Sequence, residues 1–266
     1  MPLEFRHKPG LVAYVTCGDP DLQTTAEVVV AAAEAGADVI ELGVPFSDPV
    51  ADGPVIQRAS ERALRQGTTL EQVLDTACLI RQRTDAGLMV FSYLNPVLKF
   101  GLERFCAAAE AAGIDGALIT DLPVEEAEAG DYLRLMRAHR LATVFLAAPT
   151  SPDERLKRIA DASAGFVYAV SRTGVTGARA ELPEDARVLV ERIRHFTPLP
   201  VAVGFGISTP EQFAVVGEYA DAAVVGSAIV RAIEDSAGSP VQAVAQLVRQ
   251  LRTPVVVTGR GGSAGV

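Results

Sequence analysis

Three carboxylates stand close together in ELGVPFSDPVADGP, residues 41–54: Glu41, Asp48 and Asp52, with Asp38 just upstream. They do not form a solvated charge run. Glu41 closes an apolar segment, ADVIEL, whereas Asp48 and Asp52 lie among prolines and a glycine, where no helix can continue. Burial at a strand end disfavours the charged form of a carboxylate, so its pKa rises and it can alternate between acid and base near neutral pH. The plainer alternative for Glu41 is a structural ion pair. For Asp52 it is turn formation ahead of Gly53. Asp48 and Asp121, in TDLPVEE, read as loop formers or surface contacts.

Two glycine-containing turns suit an anion. VGFGIS (203–208) and VGSAIV (225–230) each follow an apolar strand-like run. Glycine lets the backbone approach a ligand, and a helix beginning at Ser227 would aim free N–H groups at it. Ordinary strand-to-helix turns are the alternative. A long loop, SRTGVTGARAELPED (171–185), carries Gly174 and Gly177 and fits a lid.

Other chemistries find little support. The three lysines, Lys8, Lys99 and Lys157, do not close strands, which disfavours a Schiff base. His7, His139 and His195 fall in the N-terminal segment and at helix ends and suit no shared metal site. Cys17, Cys78 and Cys106 lack metal spacing and read as free thiols, small core residues in a reducing cytoplasm.

The elements that must position these groups alternate regularly. Apolar strand-like runs begin at Leu11, Asp38, Gly87, Gly116, Ala142, Gly165, Pro200 and Ala222, and each is followed by helical material. Continuous apolar strands alternating with helices indicate a parallel sheet covered by helices. Eight such units in 266 residues predict one α/β domain, a (β/α)8 barrel over 1–253, with its site at the C-terminal ends of the strands. Glu41 ends the second strand and Asp52 lies on the loop after it. The runs EAGAD and AAGID, before the second and fourth strands, place glycines where a left-handed cap ends a helix. The Gly-rich tail, 254–266, is expected to be disordered.

A net charge of −9 disfavours nonspecific nucleic-acid and anionic-membrane partners. No apolar run reaches membrane-spanning length, and MPLEFRHKPG lacks the apolar core of a signal peptide, so a cytoplasmic setting is expected.

The stretch ELGVPFSDPVADGPVIQ, preceded by YVTCGDPD and followed by DLPVEE, SRTGVTGA and GFGIS…VGSAIV, resembles the tryptophan synthase α subunit family in order from about Leu11 to Glu234. The resemblance implies a carbon–carbon lyase of tryptophan biosynthesis, splitting indole-3-glycerol phosphate into indole and glyceraldehyde 3-phosphate. It implies Glu41 as the catalytic acid/base and Asp52 as the carboxylate facing the indole nitrogen. Tyr14, Tyr168 and Phe205 fall where the family lines the indole and propanediol pocket, and Thr176 at the lid position. Gly177, Gly206, Gly226 and Ser227 fall on the phosphate-binding turns. No cofactor or metal is implied in this chain. Pyridoxal phosphate is expected only in a β-subunit partner, within an α2β2 heterotetramer. The segment before the first strand is shorter than the helical segment usual in the family.

Two other readings share the same barrel: a stand-alone lyase releasing indole, and an activator that mainly binds a β chain. Intact Glu41 and Asp52 count against the second. A partner face is expected on Pro45, Asp48 and residues 95–101, with Val97, Leu98 and Phe100 as exposed apolar groups.

Overall fold

The computed structural model describes residues 3–170, 184–204 and 206–255. Nine parallel strands form one sheet: β1 (Gly10–Thr16), β2 (Val39–Gly43), β3 (Gly87–Ser92), β4 (Gly116–Ile119), β5 (Ala142–Val144), β6 (Leu146–Ala147), β7 (Val167–Val170), β8 (Val201–Gly204) and β9 (Ala222–Val225). Their order is β5-β4-β3-β2-β1-β9-β8-β7-β6. The eight expected strands are all present, but the fifth, ATVFLA, is divided at Phe145. Its first half pairs with β4 and its second with β7. The backbone carbonyls of Thr143 and Phe145 accept from Ala164 and Tyr168 at 2.7 and 3.1 Å. Because β5 and β6 are halves of one run, this change of partner closes the sheet into a barrel.

Strand side chains alternate between two cores, as period-two geometry requires. Leu11, Ala13, Val15, Ile40, Leu42, Leu88 and Val90 pack outward under the helices. Val12, Val39, Met89, Leu118, Val144 and Phe166 fill the barrel interior. The short N-terminal segment reaches that interior as well. Leu3 is buried in it, and Phe5 packs on Phe166 with ring centroids 5.5 Å apart. Gly87, Gly116 and Gly165 leave room for Leu3; a Cβ on any of them would approach its side chain within 3.1–3.2 Å. Leu3 and Phe5 thus close the barrel floor.

The helices are α1 (Leu22–Glu34), α2 (Pro54–Arg65), α3 (Leu70–Arg81), α4 (Leu94–Phe100), α5 (Leu102–Ala111), α6 (Ala127–Ala138), α7 (Asp153–Ala162), α8 (Glu184–Arg194), α9 (Pro210–Gly217), α10 (Ser227–Glu234) and α11 (Pro240–Leu251). Three are additions to the simple alternation. In the connections after β2, β3 and β9, the helices α2, α4 and α10 precede the outer helices α3, α5 and α11. Helix α2 packs on α10 and β1, at the barrel mouth.

The sequence echo before β2 and β4 has a structural cause beyond its glycine caps, which are left-handed at Gly36 and Gly113. The backbone N–H of Asp38 donates to Leu11 O, and its carboxylate accepts from Leu11 N at 2.8 Å. Asp115 does the same with Leu88, and Asp221 with Val201. Each aspartate adds a side-chain rung to the floor of the barrel. Each is also paired with an arginine at the end of an outer helix: Arg252, Arg81 and Arg194, respectively.

Candidate active site

At the opposite end of the barrel, β2 carries Val39, Glu41 and Gly43 on its inner face. In the ladder Glu41 stands between Tyr14 of β1 and Met89 of β3. Only 1% of Glu41 is exposed, and its Oε1 has no hydrogen-bond partner among the described residues. Burial alone pushes its carboxyl up to about 8, so it holds a proton at neutral pH. Among the described residues the structural ion pair considered for Glu41 is not present. A protonated acid with an unengaged oxygen faces the mouth of the barrel.

Asp52 lies two residues before α2, whose first residue, Pro54, suits the start of a helix. Asp52 is half-buried, and desolvation raises its carboxyl to about 6 against the lowering effect of a hydrogen bond from Tyr93. Tyr93 itself was not singled out by sequence reasoning. It is buried, its Oη accepts from Ala51 N at 3.0 Å, and its ring packs on Phe46 at 5.1 Å. Its position immediately after β3, in SYLNP, was the available signal, because a residue at a barrel-strand end can reach the site.

Tyr14 and Tyr168 converge on the carboxylates. Burial raises both phenols well above their usual range, and the charges of Asp52 and Glu41 add to this in each case. Each ring lies over a glycine of the neighbouring strand. A Cβ on Gly43 would stand 2.3 Å from Tyr14 Oη, and one on Gly204 would stand 2.3 Å from Tyr168 Oη. Gly204, in VGFG, therefore makes space for a ring inside the barrel. Gly206, two residues on, is the glycine of that turn whose φ of +30° calls for the residue type.

Gly226 and Ser227 open α10, and no side chain caps that helix. Its first amides and positive dipole end are available to an anion, next to Tyr14 and Ile56, which approach Gly226. Gly226 has φ −109°, so its backbone conformation does not demand glycine. Thr176, Gly177 and the expected lid, together with Phe205, lie outside the described residues.

The remaining sequence candidates have structural roles. Asp121 caps α4 through Leu94 N at 2.6 Å, and Asp48 is exposed and accepts from Ser47 Oγ. His7 bonds Asp38 and His139 bonds Glu110. Cys17 and Cys106 are buried, but Cys78 is exposed rather than in the core. The expected partner face needs correction as well. Val97 and Pro45 are buried, and Phe100 packs against the core under Arg104. Helix α4 turns Val97 inward because only one side of it meets the barrel. Leu98 remains exposed, and Val50 on the β2 loop is 86% exposed.

Among the described residues no helix is long and apolar enough to cross a membrane. The family model "Tryptophan synthase alpha chain" matches residues 3–256. The chain is 55% identical over 237 residues to the tryptophan synthase alpha chain of Solibacter usitatus, covering 89% of this chain and 88% of the relative. It is 49% identical to that of Geotalea daltonii, covering 87% of each. Among solved structures, a mutant tryptophan synthase alpha-subunit from Pyrococcus furiosus superposes with a TM-score of 0.85 at 39% identity, over 92% of this chain and 98% of that one. The ligand-free tryptophan synthase of M. tuberculosis gives 0.83 at 36%, over 92% of each chain. A closed parallel barrel with a buried acid at its mouth, and this likeness over nearly its full length, assign the chain to the tryptophan synthase alpha chain family.

Proposed function

We propose that this chain is the carbon–carbon lyase subunit that splits indole-3-glycerol phosphate into indole and glyceraldehyde 3-phosphate. The observation that carries the reading is Glu41: buried, protonated at neutral pH and with one oxygen unengaged at the barrel mouth. Cleaving the bond requires an electron sink, and the substrate supplies one once its indole C3 is protonated. Glu41 gives its proton to C3, leaving a ring with positive charge on nitrogen. The carboxylate so formed takes the proton of the glycerol hydroxyl next to the bond. As the aldehyde forms, the C3–carbon bond breaks and its electron pair returns to the ring. Glu41 ends protonated, ready for the next turnover.

Asp52, ionised above about pH 6, faces the indole N–H and stabilises the transient cation. Tyr93 holds Asp52 by its hydrogen bond, and Tyr14 and Tyr168 wall the indole. Phe205 and Thr176 are assigned to the same pocket and its lid, and Gly177 to the phosphate turns, by position in the sequence. Gly206, Gly226 and Ser227 receive the phosphate, where the uncapped α10 offers N–H groups. The chain needs no cofactor of its own on this route.

The partner in this reading is a pyridoxal-phosphate β subunit in an α2β2 complex. A tryptophan synthase complex of P. furiosus is among the structural neighbours. Exposed Val50, on the loop after β2, and Leu98, on helix α4 after β3, supply apolar contact for it. The free state of the three cysteines is consistent with a cytoplasmic enzyme.

The test is indole release from indole-3-glycerol phosphate by the purified chain, with and without its β subunit. Wild type should cleave. Glu41→Gln and Asp52→Asn should each lose about 10²-fold or more, the usual worth of a positioned proton transfer or charge. A Glu41→Gln variant retaining a tenth of wild-type turnover would remove Glu41 from the acid/base role.

A further inference from the structure

Around the barrel mouth, an ionic cluster joins three segments that each carry part of the site. Arg62 of α2 forks onto Asp19, with Nε and Nη2 donating to the two carboxylate oxygens at 2.7 and 2.8 Å. Its third nitrogen, Nη1, donates to Glu234 of α10 at 2.8 Å. Arg58, one turn earlier on α2, donates to both oxygens of Glu234 at 3.0 and 2.7 Å. The Asp19 side chain is 3% exposed, against 31% for Arg62 and 23% for Glu234. The fork is therefore shielded from water, where its geometry is held more tightly than in a surface pair.

Asp19 sits on the loop after β1, three residues past the end of the strand that presents Tyr14. Arg62 is on the helix that Asp52 immediately precedes, and Glu234 ends the helix whose first turn offers amides to the phosphate. The apolar contact beneath is small: Tyr14, Val55, Ala59 and Val230 are its buried members. The Asp19 loop is also fitted closely to the end of α2, since a Cβ on Gly18 would lie 2.1 Å from Thr68 Oγ1. With Ile56 and Ala63 the apolar footing of this extra helix is still modest, so the ionic fork adds directional ties that the apolar contact lacks.

We propose that Arg62 is a positioning residue: by tying α2 to the Asp19 loop and to α10, it sets the Asp52 loop in register with Glu41 and with the anion-binding amides. The proposal rests on the lyase reading for its catalytic consequence, but the mechanical coupling is independent of it. Arginine is required because its planar fork spans both oxygens of Asp19 while a third nitrogen reaches Glu234. A lysine ammonium is a single point and cannot do both.

The experiment compares Arg62→Ala, Arg62→Lys and Glu234→Gln with a control, Arg83→Ala, which removes a surface pair to Glu27 on the outer helices. Two readouts are taken: kcat and KM for indole release, and amide hydrogen exchange of the free protein. Arg62→Ala should lower kcat at least about tenfold, because small misplacements of a reacting group are costly. Arg62→Lys should recover less than half of that loss, and Arg83→Ala should stay within about twofold of wild type. In Arg62→Ala, exchange over residues 44–56 and 226–230 should quicken about fivefold or more while α6 is unchanged. Exchange that is unaltered, or that rises uniformly over the fold, would overturn the proposal. So would kcat and KM within about twofold of wild type for Arg62→Ala in an active enzyme. If the wild-type chain does not cleave the substrate, the lyase reading fails, and the exchange pattern alone decides whether Arg62 couples the two segments.

Discussion

Replacing Glu41 by Gln should change how stability depends on pH, whatever it does to activity. Burial raises the Glu41 carboxyl from its usual 4.5 to about 8. Between those two values the folded protein keeps a proton that the unfolded chain releases. Stability therefore falls as pH rises through this window, and the loss is complete above the folded value. At about 1.4 kcal/mol for each tenfold in proton affinity, the full effect is about 5 kcal/mol. Between pH 5 and pH 9 about 4 kcal/mol of it is expressed. Glutamine has the same shape and no proton to lose. The assay is urea unfolding of both proteins at pH 5, 6, 7, 8 and 9, taking the difference in unfolding free energy at each. That difference should move in favour of the variant by about 4 kcal/mol from pH 5 to 9. The subtraction removes every other titrating group that the two proteins share. A difference constant within about 1 kcal/mol would mean that Glu41 is already ionised in the folded protein at pH 5, and would refute the buried acid.

The same two carboxylates predict a bell-shaped kcat/KM, rising through about pH 6 as Asp52 ionises and falling through about pH 8 as Glu41 loses its proton; a flat profile from pH 5 to 9 would contradict the assignment. Tyr93→Phe removes the hydrogen bond that holds Asp52 down, so the acid limb should move to higher pH, which the same kinetics would detect. Arg252→Met takes the guanidinium from the fully buried Asp38 carboxylate, which keeps Leu11 N, Arg6 N and His7, and frees the carbonyls of Gly36 and Pro9; it should cost about 3 kcal/mol by chemical denaturation, the low end for a broken buried pair.

Much of the barrel was legible in the chain because its signals are local. Apolar runs of strand length separated by helical segments are set by neighbouring residues, and all eight units stand where the pattern placed them. Glu41 was legible for the same reason, as a single acidic residue in such a run, but the strand does not end there. β2 continues through Leu42 to Gly43, because both remain paired with β1 and β3, so Glu41 stands two residues below the strand end on the inner face. The break at Phe145 was not legible. Side chains continue to alternate through it, with Val144 inward and Phe145 outward, and only the hydrogen-bonding partner changes.

The sequence by itself determined the order of elements, the helix caps at Gly36 and Gly113, and an acid inside the second apolar run, two residues short of the end of β2. Each follows from residue type and spacing within a few positions. Only the tertiary structure decided that Tyr93 serves Asp52, that Gly43 and Gly204 clear space for Tyr14 and Tyr168, that Val97 turns inward, and that Arg62 reaches both Asp19 and Glu234. Arg62 and Glu234 are 172 positions apart, and Asp38 and Arg252 are 214 apart. No local periodicity carries such pairings. They arise because barrel closure brings the first and last strands side by side, so that distant charges and rings find one another only after the sheet has curled round.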